Sequence, residues 1–298
     1  MNGYGERCGN ANLISIIANL SLKMGFEQAQ DISRLHEIAH YVDERANLQP
    51  NIRAPFVGDA AFAHKGGVHV SAVNKNPETY EHIRPEQVGN KRRVLLSDLS
   101  GKANILAKAG EYGEAIDAKD PKIQEIVNRM KELEHRGYAF EGAEASFQLL
   151  SQKVKGQYEP YFVLHGFHIS INKRDNDSVP TAEATIKVEV AGELEHTAAD
   201  GEGPVNALDK ALRKALVRFY PTLESLKLTD YKVRVLTGLE TGTASVVRVL
   251  VETSDGKDTW GTVGASFDII NASYEALIDA IEYKLYKDKV KPKAIWAL

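Results

Sequence analysis

A chain of 298 residues with 43% hydrophobic and 26% charged side chains has the composition of an ordinary globular protein of one to three domains. Its formal charge of -4, from 41 acidic and 37 basic residues, argues against a dedicated nucleic-acid binder, which is normally basic. No apolar run approaches the roughly 20 residues that span a bilayer, no basic-then-apolar leader is visible, and the lone Cys8 excludes an intramolecular disulfide, so a reducing cytoplasm and no membrane partner are expected.

The chain opens with Asn2-Gly3-Tyr4-Gly5-Glu6-Arg7-Cys8-Gly9-Asn10, a glycine-rich loop that runs straight into a helix. A strand normally positions such a loop, and none precedes it here, so the expectation is a chain that starts inside a domain. Leu13, Ile16, Ile17 and Leu20 recur at i, i+3, i+4, i+7 and predict an amphipathic helix that Gly25 stops. Ile32, Leu35, Ala39 and Val42 mark a second helix, and Asn47, Pro50 and Asn51 break it. Residues 51–90 read as loop-rich, and Arg92 to Ser97 as a short strand. Lys122 to Arg136 reads as a helix, 143–155 as more helix, and 156–160 as a linker.

After residue 160 the period changes from helical to alternating. Phe162 to Asn172 and Thr185 to Val190 read as strands, the turn Asp200 to Pro204 follows, and Val205 to Phe219 reads as a helix with Pro204 in its first turn. The plan then recurs. Tyr231 to Leu236, Ser245 to Glu252 and Thr259 to Val263 read as strands, with a hairpin signal at Ser254-Asp255-Gly256. A helix capped within Asn271-Ala272-Ser273 runs to about Lys284. These two halves predict two βββα units over residues 160–290, paired so that each buries its open sheet face.

Taken by residue type alone, the chemistry is sparse. Asn10 reads as a helix N-cap or as a hard oxygen ligand. The opening loop lacks the dinucleotide fingerprint, and Glu6 with Arg7 reads as a structural ion pair. His36 and His40 have the i, i+4 spacing that can bind zinc, but nothing nearby in sequence completes a ligand set, so exposed histidines are expected. His165 and His168 read as lying on opposite faces of a strand. Lys91, Arg92 and Arg93 read as a solvated basic edge. On spacing alone His69 is a loop histidine, Tyr80 a packed tyrosine and His64 a local anchor.

Four segments together change that reading. Asn2 to Leu13, Ala61 to Ala72, Tyr80 to Asn90 and the two-unit C-terminal half resemble the family of 2-isopropylmalate, homocitrate and citramalate synthases. His64 to Ala72 and Arg93 to Gly101 are most similar to its citramalate-forming branch. The resemblance covers essentially the whole chain. It implies a mixed α/β and α+β fold: the end of a catalytic TIM-type barrel in 1–30, linker subdomains in 31–90 and 91–158 (the second helical), and a two-repeat βββα amino-acid-sensing domain in 159–298.

The resemblance also implies an acyltransferase reaction. The methyl group of acetyl-CoA loses a proton, the enolate attacks the keto carbon of a 2-oxo acid held on a divalent metal, and the thioester is hydrolysed. Pyruvate as acceptor gives (R)-citramalate on a route to isoleucine; 2-isopropylmalate or homocitrate is the alternative product. The implied cofactor is zinc, manganese or magnesium, with acetyl-CoA as substrate. Asn10 is then a metal ligand. His69 and Tyr80 reach the active site of the other subunit of a homodimer, for proton transfer and oxyanion hydrogen bonding. Gly203, Pro204, Val205, Ile269, Asn271 and Ala272 line a pocket for an isoleucine or leucine effector. The family's His-x-His metal motif does not occur in this sequence, and its general base is expected upstream. The chain by itself is therefore expected to bind no metal and to be inactive, and turnover by it would refute that. A reading of another class is a free-standing branched-chain amino-acid-binding module, against which the barrel-like stretch 2–25 argues.

Overall fold

The structure, a computed structural model, describes residues 1–26, 31–96, 101–111, 119–176, 179–236 and 245–293. Ser97, the predicted end of a strand, and the rest of 97–100 lie outside them. The chain divides into two compact units, Met1–Asp120 and Pro121–Leu298.

The first unit is built of short helices. Helices α1 (Leu13–Leu22) and α2 (Leu35–Arg45) form where helical stripes were predicted. The stripe of α1 does not mark its buried face, however. Leu13 and Ile16 are exposed, and Ile14 and Ala18 are buried. The helix reads LISIIANLSL, apolar on most sides, so periodicity cannot choose among its faces. Ile14 and Ala18 meet Leu35, Ala39, Phe56, Val57, Phe62 and Val88 in the core. Asn12, not Asn10, caps α1, its side chain accepting from Ile14 N at 3.0 Å.

The segment read as loop-rich contains a helix, α3 (Gly67–Lys75), which buries Val70 and Val73 one turn apart. The glycines at its start and its β-branched residues disguise it. A further helix, α4 (Lys102–Glu111), had no signal in the sequence reading. The predicted strand shrinks to β2 (Arg93–Val94), which pairs in parallel with β1 (Ala63–His64). Buried Asn104 donates to the carbonyls of Lys65 at 2.9 Å and Leu95 at 3.2 Å, and so ties α4 to both strands.

The second unit starts with α5 (Pro121–His135) and α6 (Glu144–Lys155). An antiparallel sheet follows, ordered β3 (Val163–Asn172), β4 (Thr181–Val190), β5 (Glu193–Gly201), and then α7 (Pro204–Leu216). A second antiparallel sheet, β6 (Lys227–Leu236), β7 (Val246–Ser254), β8 (Thr259–Ser266), leads into α8 (Ile269–Lys287). Strand β5 went unread because ELEHTAADG carries almost no apolar alternation. Asp268, not the Asn271–Ser273 stretch, caps α8, accepting from Ile270 N at 2.8 Å.

One core cluster joins the first sheet to α7 and α8. On β4, Ala182, Ala184, Ile186, Val188 and Val190 point to one face, and Ala207, Leu208, Ala211, Leu212 and Ala215 of α7 cover them. Leu277, Ile281 and Leu285 of α8 belong to the same cluster. A bulge between Leu164 and Gly166 interrupts the alternation of β3, so the two-face argument for His165 and His168 fails; His165 Nε2 instead meets Glu189 at 2.8 Å.

Candidate functional site

The opening loop is closed by its own backbone. Asn10 N donates to Gly3 O at 2.8 Å, and Gly9 N to Glu6 O at 3.0 Å. Gly9 has φ +79, and a Cβ there would stand 2.1 Å from Gly3 O, so only glycine fits. The loop is tied to α2 through Asp43, a buried carboxylate that accepts from Asn2 Nδ2 at 2.5 Å and from the Tyr4 hydroxyl. That carboxylate pushes the Tyr4 phenol up from its ordinary value. Among the described residues neither Glu6 nor Arg7 has an ion-pair partner, and both are exposed, so the predicted pair does not form.

Asn10 is exposed, and its amide nitrogen donates to Tyr4 O at 3.0 Å. This use of the nitrogen leaves the carboxamide oxygen as its possible metal donor. Among the described residues no group of His, Cys, Asp and Glu spaced to hold an ion includes the surroundings of Asn10. The chain therefore offers one oxygen to a divalent ion at this loop and not a ligand set.

His69 and Tyr80 are brought together. Their ring centroids are 4.3 Å apart, although eleven residues separate them in sequence. His69 sits in the first turn of α3, and Tyr80 follows a 3-10 turn, Pro77–Thr79, capped by Asn76. Tyr80 is half exposed. Beneath it lies a polar clamp. Buried Glu81 accepts from both arms of the Arg92 guanidinium at 2.6 Å and lies 3.0 Å from buried His64 Nε2. Burial alone would raise the Glu81 carboxyl; Arg92 and His64 outweigh it and hold the group below its ordinary value. His64 lies on β1 and Arg92 immediately before β2, so the ladder fixes the distance that Glu81 bridges. The resemblance points to His69, Tyr80 and His64; Glu81 carries no signal of its own in the sequence, and Arg92, expected at a solvated edge, is instead paired with it. Arg93 is not solvated either, since it holds Asp59 Oδ1 at 2.8 Å and Asn90 Oδ1 at 3.0 Å.

The expectation for His36 and His40 is also corrected. Both are half-buried, their rings 4.4 Å apart, and Asp59 from a distant loop joins them. The ligand atoms of the three lie within 4.8 Å of one another. Sequence spacing could not supply Asp59, because folding alone brings the loop to the helix.

The residues proposed for an effector fall at two helix starts. Gly203 precedes α7 without a side-chain cap, Pro204 is its first residue, and Val205 packs on the core. Ile269 opens α8 and is exposed; Asn271 Nδ2 donates to Glu275 Oε1 at 3.0 Å. Ala272 is fully buried among Val249, Val251 and Ala276 and offers only packing.

Comparison with known proteins matches residues 141–285 to the LeuA allosteric (dimerisation) domain and residues 56–138 to the homocitrate synthase post-HMGL domain-like family. The chain is 57% identical over 97% of its length to an (R)-citramalate synthase of Geobacter sulfurreducens and covers 55% of that protein. It is 52% identical over 97% of its length to one from Aquifex aeolicus, again covering 55%. To one from Methanocaldococcus jannaschii it is 32% identical over 96% of its length, covering 55%. The chain thus spans about half the length of the curated relatives it matches.

Proposed function

From its likeness to (R)-citramalate synthases we propose that the chain supplies the linker and feedback-regulatory part of an acyltransferase that condenses acetyl-CoA with pyruvate to (R)-citramalate for isoleucine biosynthesis. The observation that carries this reading is the His69–Tyr80 pair, with a buried Glu81–His64–Arg92 clamp beside Tyr80, inside the segment that matches the post-HMGL family. A clamp of that kind pre-organises two side chains for work at their exposed ends. His69 then moves a proton, and the Tyr80 hydroxyl donates to a developing oxyanion, in the active site of the other subunit of a homodimer. Asn10 contributes one oxygen to the divalent ion, which would polarise the keto acid as a Lewis acid when bound. Exposed Leu13, Ile16, Met24 and Phe26 support a barrel-end role for residues 1–30, as surfaces that further protein would cover.

Residues 31–90 and 91–158 serve as linker subdomains, and 159–298 as the sensing domain, with its two sheet–helix halves acting as repeats. The uncapped start of α7 offers free N–H groups to an effector carboxylate, and Val205 and Ile269 supply apolar contact to a branched side chain. Among the described residues no helix is long and apolar enough to cross a membrane, and free Cys8 fits a cytoplasmic setting.

The test is thermal unfolding of the chain with isoleucine, leucine or valine, since a ligand that binds only the folded form raises the transition. At a hundredfold excess over Kd the stabilisation is about 2.7 kcal/mol. A rise with isoleucine alone is expected. A rise with leucine alone would move the assignment to a 2-isopropylmalate synthase, and no rise, repeated on a dimer confirmed by sedimentation, would remove the sensing role.

A further inference from the structure

We propose that His36, His40 and Asp59 form a binding site for one divalent transition-metal ion of the zinc class. The inference does not rest on the reading above, and it does not involve Asn10.

The two histidines stand one turn apart on α2, so their rings project from one face of the helix. His36 is already set up as a ligand. Its Nδ1 lies 2.8 Å from Val57 O, and because a carbonyl only accepts, Nδ1 carries the proton. The lone pair is then on Nε2, which points toward Asp59 Oδ1 at 4.0 Å. Metal-bound histidines commonly donate their second nitrogen to a backbone carbonyl in this way, which fixes the tautomer before the ion arrives.

Asp59 is held equally firmly. Arg93 Nη2 grips its Oδ1 at 2.8 Å, while Arg93 Nη1 holds its backbone oxygen at 3.0 Å. Asn90 Nδ2 donates to Phe56 O and Gly58 O, each at 3.0 Å. At Gly58 a Cβ would stand 2.5 Å from Ile52 O and 2.6 Å from Ala54 N, so the turn is packed backbone on backbone. The carboxylate is therefore presented by a loop with little freedom to move.

The ligand atoms lie within 4.8 Å of one another. Tetrahedral zinc, with bonds of about 2.0–2.2 Å, needs ligand atoms roughly 3.5 Å apart, so the separations must close by at most about 1.3 Å. Half-buried side chains can make that adjustment by small rotations. Two imidazoles and one carboxylate suit zinc and its neighbours in the first transition row, and not calcium or magnesium, which take oxygen. The set leaves a fourth position for water. A bound ion would fasten α2 to the 51–59 loop.

The experiment is a titration of the full 298-residue chain, freed of metal by chelation, with Zn2+ by calorimetry and with Co2+ by visible absorption. One equivalent of either ion is expected, with the intense ligand-field bands of four- or five-coordinate cobalt. Removing a ligand should weaken binding at least as much as losing an outer-shell partner, on the order of 10–100-fold, in both His40→Ala and Asp59→Asn. His40→Ala leaves the His36–Val57 and Arg93–Asp59 ties in place, so unchanged far-ultraviolet dichroism separates lost binding from lost folding. Asn10→Ala should bind as the parent does. Stoichiometric binding that survives both ligand substitutions, weak six-coordinate cobalt bands, or loss of binding in Asn10→Ala alone would each overturn the proposal.

Discussion

In the unit of residues 121–298, β4 alternates five buried apolar residues and α7 lays five more across them, each at 4% exposure or less. In the unit of residues 1–120, no helix among the described residues exceeds eleven residues, and the elements are tied by buried polar side chains: Asp43, His64, Glu81, Asn90 and Asn104. Apolar packing is tolerant and spread over many contacts, whereas polar ties depend on one partner at one distance. The second unit should therefore lose stability in proportion to the volume removed, and the first according to whether a partner is left unpaired.

The largest effect expected is at Leu212→Ala. Leu212 is fully buried at the centre of α7, and a cavity there should cost about 2–5 kcal/mol. Trp260 is buried in the second unit, so urea unfolding followed by tryptophan fluorescence reads its transition. A change below about 1 kcal/mol would mean the core yields around the cavity and would undo the contrast.

Glu81→Gln probes the other side. It removes the charge that Arg92 and His64 share and leaves that guanidinium half-buried without its counter-ion. Losing one partner of a fully buried pair costs about 3–5 kcal/mol; the Arg92 side chain is 34% exposed, so about 2 kcal/mol is expected. The loss should appear in amide exchange at Arg93 and Leu95, whose N–H groups donate to Phe62 O and His64 O at 3.0 and 2.9 Å. Tryptophan fluorescence should scarcely register it. On the role proposed for His69 and Tyr80, the same change in a full-length enzyme should lower kcat more than it raises KM, because it loosens the pair without removing either.

The two regions also differ in how far their sequence discloses them. Strand β4 and helix α7 show their buried faces by period alone, and the hairpin at Ser254-Asp255-Gly256 joins β7 to β8 where turn chemistry predicts. Strand β5 escaped notice because it is largely polar, and α8 begins earlier than read because Asp268 caps as well as Asn does. In the first unit, Leu13 and Ile16 of the stripe that marks α1 stay exposed in this chain while Ile14 and Ala18 are buried, and periodicity missed α3. The resemblance singles out His69 and Tyr80, but neither their ring contact, nor the clamp beside Tyr80, nor the meeting of Asp59 with His36 and His40 is legible in the sequence. Polar ties between residues 10 to 40 positions apart leave no period to detect; each residue alone looks like surface.

The smallest effect, and the sharpest test of the contrast, concerns a row of carboxylates along α8 of the second unit. Along α8, Glu275, Asp279 and Glu282 share a face, with Lys153 Nζ of α6 4.0 Å from Asp279 and 3.8 Å from Glu282. Burial, helped by Glu282 and Glu275 and opposed by Lys153 and Ser146, pushes the Asp279 carboxyl up to about 7. Burial raises Glu282 as well. Between about pH 4 and 7 the folded chain then keeps a proton that the unfolded chain has released, so stability falls as pH rises through that window and levels off above it. A single group contributes at most about 1.4 kcal/mol per pH unit, and Asp279, whose side chain is 19% exposed, should contribute less. Asp255 acts elsewhere on the scale. Despite the cost of burial, Lys284, Lys287 and backbone N–H groups hold its carboxyl well below the ordinary range, so its contribution is present above about pH 4 and fades only in stronger acid. Asp279→Asn, which mimics the protonated side chain, should therefore exceed the parent in stability by more at pH 8 than at pH 5, with the remaining slope owed to Glu282. Urea midpoints at the two pH values decide it. A variant equally destabilised at both would mean that Lys153 holds Asp279 ionised, making this face of α8 another polar tie of the kind that governs the first unit.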